Sequence, residues 1–397
     1  MTSNHAAANE PGAFEEKPEV WGYEAVRAGA RDYATYSSLL TGDTRVRSYR
    51  QLPLELDPPR HSDVRLAIQP MFSAENVSRL DEAFRELARA LIDDVKDRGH
   101  AELGADVALP YVVGCLAELF NRHQDVDEWV SWGPMAWHAD AYMAGEEITE
   151  ATKRSMRDRD YSNPDVQTSA NTIDAYLTRV FDEADASQNV DVDSMDIWDA
   201  ISNLIVDGQP LTREEKVGMG CVLLTGGRET VIKLITGLVW HLIRSPGDRE
   251  YLTNDADARP AAIAELNRYL SPLPRMERVV LSGAPTPTCP AGRTGGYRVI
   301  LSFVSANFDT ARWNDPETLD IHRERKANLG FGFGRHSCLG VKLTEHEVAA
   351  FLDVLLDDWP GWAFAAEPTI SWYTIGQGET AADVIDAFDS VPIVARA

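Results

Sequence analysis

The chain has 397 residues, with 63 acidic against 38 basic side chains and a formal net charge of −25. Such a surface repels a polyphosphate unless a basic face is segregated, and none is evident, so nucleic acid is excluded as a partner. Hydrophobic residues make up 44% and charged residues 25%, which excludes a disordered or collagen-like chain and points to a packed core.

No uninterrupted apolar stretch reads as long enough to cross a bilayer, and residues 1–11 have neither a basic start nor an apolar centre. The expectation is a soluble, cytoplasmic protein. Residues 1–17 are rich in Ala, Asn, Glu and Pro without apolar periodicity and read as a flexible arm. Residues 18–397 show no internal repeat and no Gly/Ser or Pro-rich linker, so they read as a single domain. From Tyr23 onward most segments have helical periodicity, and strand-like runs are confined to places such as 278–282 and 297–304. The fold class is mainly α with small β-sheets.

In chain order, Asp57-Pro58-Pro59-Arg60-His61-Ser62-Asp63-Val64-Arg65 opens a helix with prolines at its start and His61 and Arg65 one turn apart. Two such groups on one face bind a carboxylate, or merely form a solvated basic patch. Residues 73–98 place Val77, Leu80, Phe84, Leu87, Leu91 and Val95 at helical spacing, an ordinary surface helix. Thr212 and Glu215 form a capping box that opens a mostly apolar helix reaching Ile243, with Ser245-Pro246 as its stop. This helix is expected to run through the protein centre. Its middle, Thr225-Gly226-Gly227-Arg228-Glu229-Thr230, puts two glycines, an acid and a hydroxyl where packing alone favours Leu or Ala. The plain reading is a kink with a back-bonded threonine. Arg228 points to solvent, to an acid or to an anionic substrate. Glu265 and Arg268 share a helix face, ordinarily just an ion pair.

The four cysteines, Cys115, Cys221, Cys289 and Cys338, are too scattered for a disulfide framework or Cys-x-x-Cys ligation, so any cysteine chemistry belongs to one thiol. The informative run is Phe331-Gly332-Phe333-Gly334-Arg335-His336-Ser337-Cys338-Leu339-Gly340, followed by a buried helix that Pro360 closes. Cys338 is thereby expected at a helix N-terminus, where the dipole and free N–H groups lower a thiol pKa and favour metal ligation. The glycines admit a flat cofactor and Phe331 is available to its face, and a single thiolate on iron porphyrin favours O–O cleavage. A dinucleotide fingerprint fails because Ser337 stands at the third glycine position. A Gly-rich turn around an inert cysteine is the ordinary alternative.

The run resembles the cytochrome P450 signature Phe-Gly-x-Gly-x-His-x-Cys-x-Gly, and the likeness extends from about Trp21 to the C-terminus. The resemblance implies a soluble bacterial haem-thiolate monooxygenase with haem b, in which Cys338 is the axial iron ligand. It further implies that His61, Arg65, Arg278 and His336 contact the haem propionates, Arg275 being less well spaced than Arg278. Phe331 and Gly340 belong to the cofactor loop. Gly226 and Gly227 leave room for dioxygen, and Glu229 and Thr230 are the catalytic proton-relay pair. Val222, Thr225 and Leu273 line the substrate side by analogy, and residues 39–56, including Thr41, Gly42, Asp43 and Thr44, help cover it. Glu265, Arg268 and Arg323 lock the fold behind the haem.

Three departures from the family stand out. The segment before Trp21 is short, Phe308 follows Asn307 where many relatives have a basic residue, and Asn328 replaces a histidine near the haem edge. The implied reaction inserts one oxygen atom of O2 into a small, largely apolar substrate with electrons from outside, by the family's habit from a ferredoxin and its reductase. Arg60, Arg65, Arg335 and Lys342 are expected to form the donor's basic docking patch over Cys338. The competing reading is a haem-thiolate protein without oxygenase turnover, acting as a ligand-binding or carrier-docked module. A peroxide-driven variant is a lesser option, against which the Glu229-Thr230 pair counts.

Overall fold

The computed structural model describes residues 17–39, 49–134, 136, 171–191, 194–281, 297–357, 359 and 361–395. The expected N-terminal arm through residue 16 and the substrate-covering Thr41 to Thr44 lie outside these residues. The described chain is mainly helical with small sheets, as the sequence leads one to expect.

Helix α1 (Tyr23–Arg31) buries Tyr23, Val26 and Gly29 against a four-stranded sheet. Its strands run in the order β1 (Glu19–Val20), β4 (Tyr297–Ser302), β3 (Arg275–Val280), β2 (Tyr36–Ser37). The β3–β4 ladder is antiparallel, with Arg278 opposite Val299. Both strand-like runs are therefore strands with shifted bounds: the first begins at Arg275, and the second stops at Ser302, where the short helix Phe303–Asn307 takes over.

The main core is helical. Helix α2 (Arg60–Ile68) follows Pro59 as expected. The run 73–98 is two helices rather than one. Ser73 caps Ala74–Ser78, and α3 (Asp81–Arg98) restarts with Asp81 and Glu82 in its first turn and Lys96 and Arg98 in its last, matching the helix dipole. Phe84, Ala88, Ile92 and Val95 bury one face of α3, and it packs on α10 (Val341–Asp357).

Helix α4 (Leu109–Phe120) forms with the preceding turns an eighteen-residue run, Leu103–Phe120, long and apolar enough by composition to span a membrane. Asp106, Pro110 and Glu118 interrupt it and 67% of it is buried, as in the core helix of a globular protein. Its residues Leu103, Tyr111, Val112, Val113 and Cys115 are core.

The long helix expected from Thr212 is broken. The capping box is present, with the Thr212 side chain accepting from Glu215 N–H and Glu215 returning the bond, and α7 runs Arg213–Gly226. Gly227 and Arg228 interrupt it, and α8 (Glu229–Arg244) continues to Ser245. Two consecutive glycines remove the side-chain packing that would hold the helix through this point. Between α4 and α7 lie α5 (Val126–Ser131) and α6 (Asn171–Ser187), and α9 (Arg259–Leu270) precedes β3. A hairpin of β5 (Thr369–Ile375) and β6 (Ala382–Ser390) packs on α8 and α9.

Candidate functional site

The 331–340 loop is shaped by two glycines at positive φ, Gly332 at 66° and Gly334 at 74°. At Gly334 the backbone approaches α1 so closely that a Cβ would lie 2.6 Å from the Ala30 carbonyl oxygen. The Cys338 N–H donates to the Phe331 carbonyl at 2.8 Å and closes the loop. Cys338 retains accessible surface although it lies deep among protein atoms, so its sulfur faces an internal cleft.

The helix after it starts only at Val341, and burial pushes the Cys338 thiol up, with the Gly340 N–H and Arg65 as partial offsets. The expected dipole-lowered thiol is thus corrected. Desolvation outweighs the helix end, and a bound cation is what would stabilise the thiolate.

Beside this loop stands a cationic cluster. The His61 and His336 ring centroids are 4.2 Å apart, and Ser38 Oγ lies 2.9 Å from His336 Nε2. Burial foremost, then the charges of Arg65, Arg335 and Arg278, holds His61 down to about 4, with Asp57 opposing. His336 is lowered by burial and then by Arg278, His61, Arg65 and Arg335. Asp57 accepts from the Ser37 hydroxyl and from Ser38 N–H at 2.8 Å, which fixes the segment carrying Ser38. Both His61 ring nitrogens are buried without a hydrogen-bond partner. Three guanidinium groups around two neutral histidines with an orphaned donor ask for an anion. Haem propionates are such anions, so these residues fit the cofactor. Arg278 is buried in this cluster, whereas Arg275 lies near Glu19 and over the Tyr373 ring.

At the helix break, Gly226 is exposed and a Cβ there would meet nothing within 4 Å, so the backbone opens onto free space. Gly227 faces Leu116. The accessible residues Val222, Gly226, Glu229 and Thr230 recur at helical spacing along helices whose other faces are buried. Thr230 Oγ1 donates to the Gly226 carbonyl at 3.2 Å. The kink and the back-bonded threonine are therefore both present. Thr225 does not join this stripe: it is buried, and its hydroxyl donates to the Cys221 carbonyl at 2.7 Å. Leu273 is half-buried against the sheet-side core that contains Phe303 and Leu329. Arg228 points inward, and its guanidinium donates to the carbonyls of Gly133 and Trp129 near the end of α5.

Behind the loop, Glu265 receives both Nε and Nη2 of Arg268 at 2.8 Å and Nε of Arg323 at 3.0 Å. Arg268 also donates to the Asn307, Pro316 and Thr318 carbonyls, and Phe308 lies under its guanidinium. Asn307 Oδ1 accepts from Leu329 N–H at 2.7 Å. Asn328 donates to the Ala264 carbonyl and accepts from Gly330 N–H, so it ties the loop to α9.

The expected docking patch is corrected. Arg60 is paired with Asp207 and Glu215, and Lys342 with Glu345, while Arg65 is turned to the cysteine cluster. Lys342 stays exposed in its pair, and beside the loop Arg31, stacked on Phe333, and Arg335, over Tyr33, are exposed as well. Neither makes an ion pair among the described residues. Sequence reasoning missed Ser38 and Arg31, whose places depend on α1 and β2 folding against the loop. It also missed Glu347, whose helical phase alone would have flagged an acid on the buried face of α10.

The family model described as Cytochrome P450 matches residues 260–359. Cyclomarin C epoxidase CymV of Salinispora arenicola is 32% identical over 308 residues, covering 76% of this chain and 72% of that protein. The chain belongs to the cytochrome P450 family. Cytochrome P450 monooxygenase PikC of Streptomyces venezuelae is 27% identical, with 90% and 82% of the two chains covered. Among solved structures, a carbohydrate-active P450 superposes with a TM-score of 0.78 at 23% identity, covering 95% of this chain and 91% of that one. An open EryK from S. erythraea gives 0.74 at 24% identity, with 95% and 90% covered. These two show the fold. This P450 is a monooxygenase of the oxidoreductase class, as its named relatives are, and the family implies a haem-thiolate cofactor.

Proposed function

We propose that the protein uses haem b to insert one oxygen atom of O2 into a small, largely apolar substrate, the other atom leaving as water. Cys338 would ligate the iron; His61, Arg65, Arg278 and His336 would hold the propionates; Phe331 and Gly340 would border the ring. The haem, once bound, supplies the reductive activation of O2. Gly226 and Gly227 keep the adjoining helix wall free of side chains. Thr230 commits its only proton to the Gly226 carbonyl, so its lone pairs are what it offers a proton donor, and Glu229 beside it would be the acid of the proton relay. Val222 and Leu273 supply apolar lining. Glu265, Arg268 and Arg323 hold the backbone behind the cysteine loop.

The observation that carries this reading is the buried, unpartnered His61 among three arginines beside an accessible deep cysteine. Electrons would come from a ferredoxin and its reductase, docking where Arg31 and Arg335 stand clear of the acidic surface. Cytoplasmic residence goes with that supply.

The test is a reduced carbon-monoxide difference spectrum. Wild type should give the strongly red-shifted Soret band of a thiolate-ligated haem, and Cys338→Ser should lose it. Haem held equally well through another side chain would end this reading. The Thr230 back-bond equally suits a haem protein that only binds ligands, and Thr230→Ala separates the two. Electron consumption should uncouple from product, with more peroxide released, if Thr230 takes part in turnover.

A further inference from the structure

Strand β2 ends at two serines that the fold uses differently. Ser37 still pairs with Val279 of β3, and the chain leaves the ladder at Ser38, which is 2% exposed. Polar groups buried at a strand end have to find partners elsewhere. Asp57 supplies them: its carboxylate accepts from Ser38 N–H at 2.8 Å and from the Ser37 hydroxyl, whose oxygen accepts from Leu39 N–H at 3.0 Å. The Ser37 hydroxyl is thereby committed to the local turn. That of Ser38 reaches across to His336 Nε2 at 2.9 Å, 298 residues on, and has no other partner among the described residues.

A hydroxyl rotates, so this bond alone does not decide which side donates. The surroundings of the ring decide it. His336 faces Arg278 from β3, Arg65 and His61 from α2, and Arg335 from its own loop, a buried cationic setting that keeps the imidazole neutral. A neutral ring has one nitrogen that donates and one that accepts. An anion held among these guanidinium groups needs the donor. Ser38 is the only hydrogen-bond partner of the His336 ring among the described residues, which leaves Nδ1 for the anion. Were the hydrogen on Nε2, Nδ1 would turn a lone pair toward negative charge. Both nitrogens of His61 lack such a partner, so of the two stacked histidines only His336 has its hydrogen placed by a neighbour.

We propose that Ser38 is a positioning residue that donates to His336 Nε2 and so keeps the hydrogen of the ring on Nδ1, where it serves the anionic edge of the cofactor. The inference rests on that anion being a haem propionate. Asp57 holds the Ser38 backbone in place, the ring gains and loses no proton overall, and Ser38 itself touches neither the haem nor the reacting atoms.

The experiment compares reduced, carbon-monoxide-bound holoprotein of wild type, Ser38→Ala and Ser37→Ala, each with isotope-labelled histidine nitrogens. Ring-nitrogen chemical shifts tell a nitrogen that carries hydrogen from one with a lone pair, and the His336 signals are assigned by their loss in His336→Gln. Wild type should carry the hydrogen on Nδ1. Ser37→Ala, which loosens the same segment without removing a group from the ring, should keep it there. Ser38→Ala should lose part of its Nδ1–H population, and its haem should pass to excess apomyoglobin about tenfold faster, the scale of one hydrogen bond to a charged group. Hydrogen on Nε2 in wild type, an unchanged ring in Ser38→Ala, or an equal change in Ser37→Ala would overturn the proposal. A wild type that takes up no haem would sink the haem reading and this inference with it, whereas haem held equally well by wild type and Ser38→Ala would remove only the role given to Ser38.

Discussion

Arg228 Nε lies 2.9 Å from the carbonyl oxygen of Gly133, a residue 95 positions earlier in the chain. The residue carrying that bond is 1% exposed, so at the helix break a buried charge reaches across to backbone oxygens at the end of α5. Arg228→Met keeps the stem and leaves the carbonyls of Gly133 and Trp129 without their donor. We expect a loss of about 3 kcal/mol in urea unfolding with an unchanged m-value. If Arg228 instead served an anionic substrate, stability would stay put and only binding would suffer.

In the Glu265, Arg268 and Arg323 triad one buried carboxylate serves two guanidinium groups, Arg268 buried and Arg323 half-buried. Glu265→Ala leaves both cations facing each other without compensation. The expected cost is about 3–5 kcal/mol, read by thermal unfolding of the purified variant. A change below about 1 kcal/mol, the scale of a surface pair, would contradict the geometry.

Glu347 is buried in α10 with neither carboxylate oxygen hydrogen-bonded, and desolvation raises its pKa well above the usual carboxylate value. The native state therefore keeps a proton that the unfolded chain gives up near pH 4.5. The stabilising contribution is full below that pH and falls as pH rises, by at most about 1.4 kcal/mol per unit until the native group ionises. Glu347→Gln should match wild type in acid and become progressively the more stable above about pH 5. Parallel stability curves from pH 4 to 8 would show that Glu347 does not titrate this way.

Arg31 stands on Phe333 beside the cysteine loop in a chain with a net charge of −25. Arg31→Glu should slow reduction by an acidic donor protein about tenfold at low salt, and the gap should close near 0.5 M salt as screening shortens to a few ångströms. Haem content should not change. Stopped-flow reduction across a salt series measures this directly.

What could be read from the residues was what their near neighbours decide. The Thr212 cap needs only Glu215, three residues on, and the Glu265–Arg268 pair needs one turn, so both were legible. Arg60 was misjudged because the acids that neutralise it, Asp207 and Glu215, arrive from far along the chain. The thiol of Cys338 was misjudged for a related reason. Helix position can be read locally, but how much protein closes over a sulfur cannot, and here burial outweighs the helix end. Within the site, the cysteine loop and the His61-to-Arg65 turn were legible as spacing. Ser38 had no such signal, since it acts on a partner from another part of the chain, His336.

The fit of Gly334 against the Ala30 carbonyl bears on biosynthesis. The turn that carries the sulfur is completed against a helix emerging from the ribosome some three hundred residues before it. Such long-range closure is slow compared with local helix formation. The nascent chain therefore lacks a finished cradle until the 331–340 loop has been made, so capture of the cofactor that the family implies has to wait for that closure.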